Sequence, residues 1–210
     1  MLDLYCERLG PGLWSEPLNA LSNAAFFAAA WAVWCRARRA DRPDGSAMLL
    51  IALIAAIGIG STLFHTFATR WAAWLDTLPI LLYQFVFLWL YLRHAARAST
   101  ATTVTILAIF LAATLAVRAL PPLFNGSLAY APALLFVLGL GFYHRRHAVR
   151  ERWLLLGAAG VFLLSLAFRT ADRAMCEWAP VGTHFLWHLL NGAVLYLTAR
   201  AWILNDQNRR

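Results

Sequence analysis

The chain has 210 residues, of which 61% are hydrophobic, 13% charged and ten tryptophan, and its mean hydropathy is +0.61. A soluble core of this length cannot hide so much apolar surface, so a water-soluble globular domain is excluded and an all-α, polytopic membrane protein is expected. The net charge of +8 rests on eighteen arginines and no lysine; such residues collect in cytoplasmic loops of membrane proteins, so the charge requires no nucleic-acid partner.

The first seventeen residues contain Asp3, Glu7 and Glu16 and lack the basic start, short apolar run and small-residue cleavage site of a signal peptide. Seven apolar segments follow, over roughly 18–35, 47–68, 74–92, 101–120, 129–143, 153–170 and 182–203. Most are long enough to cross a bilayer as a helix; the fifth is short, weakened by Pro132 and Gly139. No repeat, linker or low-complexity stretch divides the chain, which reads as one domain over 1–210 with seven transmembrane helices.

Arginine counting sets the orientation. With the N-terminus outside, thirteen arginines fall on the inner side: Arg36, Arg38, Arg39, Arg42, Arg93, Arg97, Arg145, Arg146, Arg150, Arg152, Arg200, Arg209 and Arg210. Five fall outside: Arg8, Arg70, Arg118, Arg169 and Arg173. The asymmetry predicts an outer N-terminus and a cytoplasmic C-terminus. Trp31, Trp34, Trp89, Trp153 and Trp202 then mark the inner interface, and Trp71, Trp74 and Trp178 the outer one. Of the acids, Asp3, Glu7, Glu16, Asp172 and Glu177 map outside, and Asp41, Asp44, Glu151 and Asp206 inside. Asp76 alone is left within a span, where a carboxylate costs about 2.5–3.5 kcal/mol at the bilayer centre and less near the interface.

Asp76 has company at its own depth. Ser61 and His65 are four residues apart near the outer end of the second span, so they share one helix face. The seventh span opens with GTHFLWHLLNG, in which His184 and His188 share a face in the same way. Three imidazoles from two helices suit a zinc ion and leave a fourth tetrahedral position open, as in catalytic sites. Asp76 can orient an imidazole or accept a proton from water at the metal, and Ser61 can donate to the oxyanion of a tetrahedral intermediate. Other roles stay open for each alone: a membrane histidine often bonds a neighbouring helix, and Asp76 suits a helix cap at the interface. His94, His144 and His147 are expected to be solvated loop residues, the latter two because arginines flank them. Phe26, Phe64 and Phe85 are candidates to contact an acyl chain, and Gln84 and Asn191 to line the same cavity.

S-x3-H, an aspartate opening the next span and H-x3-H in the last span together resemble the alkaline ceramidases. More broadly they resemble the membrane hydrolase superfamily that holds the progestin and adiponectin receptors and the Per1-like proteins. The stretch DLYCERLGPGLWSEPLNALSN is similar to the ceramidases' Asp-Trp-Cys-Glu segment, with its later glutamate and Asn-x-x-Ser-Asn. The resemblance implies a zinc-dependent hydrolase that cleaves the N-acyl bond of ceramide or a related membrane lipid. His65, His184 and His188 would bind zinc, Asp76 would shuttle the proton and Ser61 would steady the oxyanion. It also implies calcium near the zinc, held by Glu7 and Glu16 with Asp3; the same acids suit a plain solvated segment. This chain departs from the family pattern with one extra residue, Tyr5 in place of tryptophan, and Arg8 where an acid is usual. Cys6 and Cys176 both map outside, where an oxidising compartment permits a disulfide, and the resemblance points to the same pair.

A receptor or sensor that keeps the zinc without turnover is the alternative function. Metal transport would require polar residues through the full membrane depth, whereas these cluster at one end. The expected location is a bacterial inner membrane with the metal site near the periplasmic face. No protein partner is readable.

Overall fold

The computed structural model describes residues 1–39, 44–148 and 150–206; Asp41, Arg42, Arg209 and Arg210 of the inner-side tally lie outside them. All seven apolar segments are helical, and no strand occurs among the described residues. The first segment is two helices, α1 (Pro17–Ser22) and α2 (Ala24–Arg38), which meet at Asn23. Then come α3 (Gly45–Phe67) and α4 (Arg70–Leu90), the latter ending in a π-turn over Tyr91–Ala95. α5 (Thr100–Arg118) precedes α6 (Ala131–His147), α7 (Leu154–Ala171) and α8 (His184–Asn205). Local chemistry sets several starts. Asp44 accepts the Ala47 N–H at 2.8 Å and Ser99 that of Thr102 at 3.1 Å, satisfying amides that the first turn leaves open.

Six of these segments are long and apolar enough to cross a membrane, which marks a multi-pass membrane protein. α8 is equally long at 22 residues but less apolar, because it carries His184, His188, Asn191 and Arg200. The helix that supplies most of the predicted ligands therefore has the weakest span signal. The fifth segment extends to His147, beyond the expected end at 143, so Gly139 does not break it.

α3 packs most closely on α4, α7 on α8, and α2 on both α3 and α8. The central core holds Val33, Leu50, Ile54 and Trp202, all wholly buried. Large apolar side chains such as Trp31, Leu49, Ile109, Leu115 and Leu163 point outward instead, as lipid-facing surfaces require. One expectation is overturned. His144 is not a solvated loop residue; it lies in α6, wholly buried, with Nδ1 2.7 Å from the Tyr91 hydroxyl. The flanking arginines face away on other sides of the helix, so sequence adjacency misjudged its surroundings. His147 is exposed and His94 half-buried.

Candidate metal centre

The last two turns of α3 and the first turns of α8 meet at one end of the bundle. There His65, His184 and His188 are all buried, and one ring nitrogen from each lies within 4.8 Å of the others. Tetrahedral ligation at 2.0–2.1 Å needs nitrogens roughly 3.3 Å apart, so small side-chain rotations close the set. It is the only such group among the described residues.

Each imidazole is held from behind. His65 Nδ1 lies 2.5 Å from Glu16 Oε2, while its Nε2 is buried without a hydrogen-bond partner. Burial pushes the Glu16 carboxyl up, but hydrogen bonds from His65, Arg8 and Asn19 outweigh it and hold the group below its usual range. A carboxylate can only accept, so His65 Nδ1 donates to Glu16 and Nε2 is the nitrogen left to face a metal. The Ser22 hydroxyl donates to the Asn19 carbonyl at 2.8 Å, so it must accept from His188 Nδ1, 2.7 Å away. That fixes the His188 tautomer and frees its Nε2, which lies 3.5 Å from the Ser61 hydroxyl. The His184 ring stacks on Tyr5 at 3.6 Å between centroids, and its Nδ1 is also buried without a partner. Unpartnered buried ring nitrogens backed by a carboxylate and a hydroxyl are the donor set that a transition metal takes. The residues fit zinc.

Asp76 arrives through an unusually close helix contact. A Cβ on Gly60 would overlap the carbonyl oxygen of Leu75, so α3 and α4 pack backbone to backbone only because Gly60 has no side chain. This sets the turn of α3 that carries Ser61 against the turn of α4 that carries Asp76. α4 begins at Arg70, so Asp76 sits beyond the first turn rather than capping it.

The candidate calcium acids do not converge. Both Glu7 oxygens accept backbone N–H groups at the start of α1, from Leu18 at 2.6 Å and Asn19 at 2.8 Å. Glu16 is ion-paired with the buried Arg8, whose guanidinium also donates to the His65 carbonyl at 2.9 Å. Asp3 is exposed. A cation of the protein's own already neutralises this carboxylate, so the residues present do not fit calcium.

Cys6 and Cys176 form a disulfide with their Cα atoms 5.2 Å apart. Beside it stands a residue that the sequence reading had placed only as an outer acid. Asp172 is wholly buried, and its carboxylate accepts N–H groups from Cys6 at 3.1 Å, Thr183 at 2.7 Å and His184 at 2.9 Å. It thereby ties the N-terminal segment to the start of α8. Gly182, at φ +65°, lies against this carboxylate, where any Cβ would collide with it. Ser22, Tyr5, Arg8 and Asp172 were the missed members. Ser22 stands in the Asn-x-x-Ser-Asn motif and Asp172 four residues before Cys176, the only local signals of either role.

Below the histidines an apolar cavity runs between the helices, lined by Phe26, Ile57, Tyr83, Gln84, Trp187, Asn191 and Thr198 among others. Phe26, Gln84 and Asn191 were expected there. Phe64 instead packs against Tyr5, and Phe85 against Phe110 behind the cavity wall. From Trp187 to Thr198 the cavity follows α8 for about 16 Å at 1.5 Å per residue.

Fold and site define a helical, multi-pass membrane protein with a buried three-histidine centre above an apolar cavity. The Ceramidase family model matches residues 12–209, and the chain belongs to that family. A comparison with curated proteins finds no significant match.

Proposed function

We propose that the chain is a zinc-dependent hydrolase of the N-acyl bond in ceramide or a related N-acylated membrane lipid. The observation that carries this is the three-histidine cluster, with unpartnered ring nitrogens on His65 and His184, beside an apolar cavity whose lining includes Trp187 and Asn191, neighbours of His188 on α8. His65, His184 and His188 would hold zinc, which supplies Lewis acidity and makes water acidic enough to act as a nucleophile at neutral pH. The cavity takes the acyl chain and so brings the amide carbonyl to the cluster. Ser61 donates a hydrogen bond to the carbonyl oxygen as negative charge grows there. Asp76, beside Ser61, takes a proton from the attacking water and returns it to the departing amine.

In this reading α8 completes a single domain of seven membrane-spanning helices over 1–210, with the N-terminus outside and the C-terminus cytoplasmic. The arginine asymmetry supports that orientation; in a bacterial inner membrane it would put the metal centre near the periplasmic face. The test is zinc content by elemental mass spectrometry, then fatty-acid release from N-acyl lipids by wild type and His188→Ala. Stoichiometric zinc and fatty-acid release, both lost in the variant, are expected. Protein without zinc would overturn the proposal, and zinc without release from any N-acyl lipid would return the receptor reading.

A further inference from the structure

Of the five arginines on the predicted outer side, four have an ordinary explanation. Arg70, Arg118 and Arg173 are exposed, and Arg8 is ion-paired with Glu16. Arg169, near the end of α7, is different. It is half-buried, has no carboxylate within 4 Å among the described residues, and its Nε is buried without a hydrogen-bond partner. Its guanidinium lies 5.4 Å from the Trp187 ring, 5.5 Å from Tyr130 and 5.6 Å from Tyr5, and it donates to the Tyr5 hydroxyl at 2.9 Å. Aromatic faces attract a cation but leave most of its five donors unsatisfied.

Position gives this cation a purpose. Trp187 and Tyr130 line the apolar cavity, and Tyr5 stacks on His184. Arg169 therefore packs against two aromatic walls of the cavity and, through Tyr5, is one ring away from His184. A lipid with its acyl chain in the cavity and its amide at the histidines would place the amine-side substituent beside this guanidinium. A planar, fork-shaped donor set left unpaired in a partly desolvated pocket matches a carboxylate.

We propose that Arg169 binds a carboxylate on the amine side of the scissile amide, so that the preferred substrates are N-acyl amino acids rather than neutral ceramides. This rests on the hydrolase reading for its substrate geometry. In an N-acyl α-amino acid the carboxylate is one carbon beyond the amide nitrogen, and ceramide offers only hydroxyls there. Arg169 acts on affinity and substrate choice; no bond changes at it.

The test measures binding, which needs no turnover. Full-length wild-type protein and Arg169→Gln are titrated in detergent with N-decanoylglycine and with its neutral counterpart, N-decanoylglycinamide. Wild type is expected to bind the carboxylate at least about tenfold more tightly, as for a charge-assisted pair. Arg169→Gln should lose that preference while its affinity for the amide stays unchanged, which also reports an intact cavity. Arg169→Lys, which keeps the charge without the fork, should fall between and serves should the glutamine variant not fold. Equal affinities in wild type would overturn the proposal. So would a preference that survives Arg169→Gln, because the carboxylate would then be on the metal. Decanoic acid is a third ligand: if it alone shows the Arg169-dependent gain, the group serves the released product and the substrate proposal is wrong. Hydrolysis of neutral N-acyl lipids can stand or fail independently of each result.

Discussion

Glu16 and His65 are 49 residues apart in the chain, and a carboxylate oxygen of one lies 2.5 Å from Nδ1 of the other. The contact links the stretch before the first helix to the end of α3 and fixes which nitrogen of His65 is free. Partners of this kind raise the basicity of a ligand and hold its orientation, and losing one costs about 10–100-fold in metal affinity. Glu16→Gln is therefore expected to weaken zinc binding by roughly that factor with little change of fold, measured by competition with a zinc chelator. Unchanged affinity would remove Glu16 from the centre.

In the proposed reading Ser61 and Asp76 act beside the three histidines without holding the metal. Ser61→Ala should retain zinc and lose about 10²–10³ in kcat, as when one oxyanion donor is removed. Asp76→Asn should retain zinc and lose about 10²–10⁴, the range of a proton-transfer group. Zinc content and kcat measured on the same preparations separate these roles from ligation. Loss of zinc in either variant would place that residue in the metal's own shell.

The backbone contact at Gly60 tests the helix packing that brings Ser61 to Asp76. Gly60→Ala should lower stability by about 1–3 kcal/mol or more, because the obstacle is the Leu75 carbonyl and cannot rotate away. Activity should fall with it. Gly160→Ala on α7 is the control, since a Cβ there meets nothing within 4 Å. It should be neutral or stabilising by up to about 1 kcal/mol from helix propensity. Thermal melts in detergent compare the two.

Arg8 gives a prediction about calcium. With its guanidinium already neutralising Glu16, calcium chelation should leave both melting temperature and activity unchanged. Arg8→Gln leaves a buried carboxylate without its counter-ion, a loss of about 3–5 kcal/mol. A melting temperature that falls on chelation of the wild type would show that these acids hold calcium after all.

Much of this protein was legible before any coordinates. Seven apolar runs became helices because hydrophobicity and helix length are local properties. The i,i+4 spacing placed Ser61 with His65 and His184 with His188 on shared faces, since that depends only on the helical repeat. Matching depths then suggested that the pairs meet.

Which face meets which was decided by tertiary packing alone. Glu16 read as a calcium ligand until packing set it against His65 and Arg8. His144 read as solvated until α6 turned it onto Tyr91. Asp172 read as one outer acid among several until it gathered N–H groups from Cys6, Thr183 and His184. Sequence spacing specifies a residue's own helix face but not the rotation of that helix against its neighbours. The rotation follows from the sum of many contacts, among them one as small as the missing side chain at Gly60.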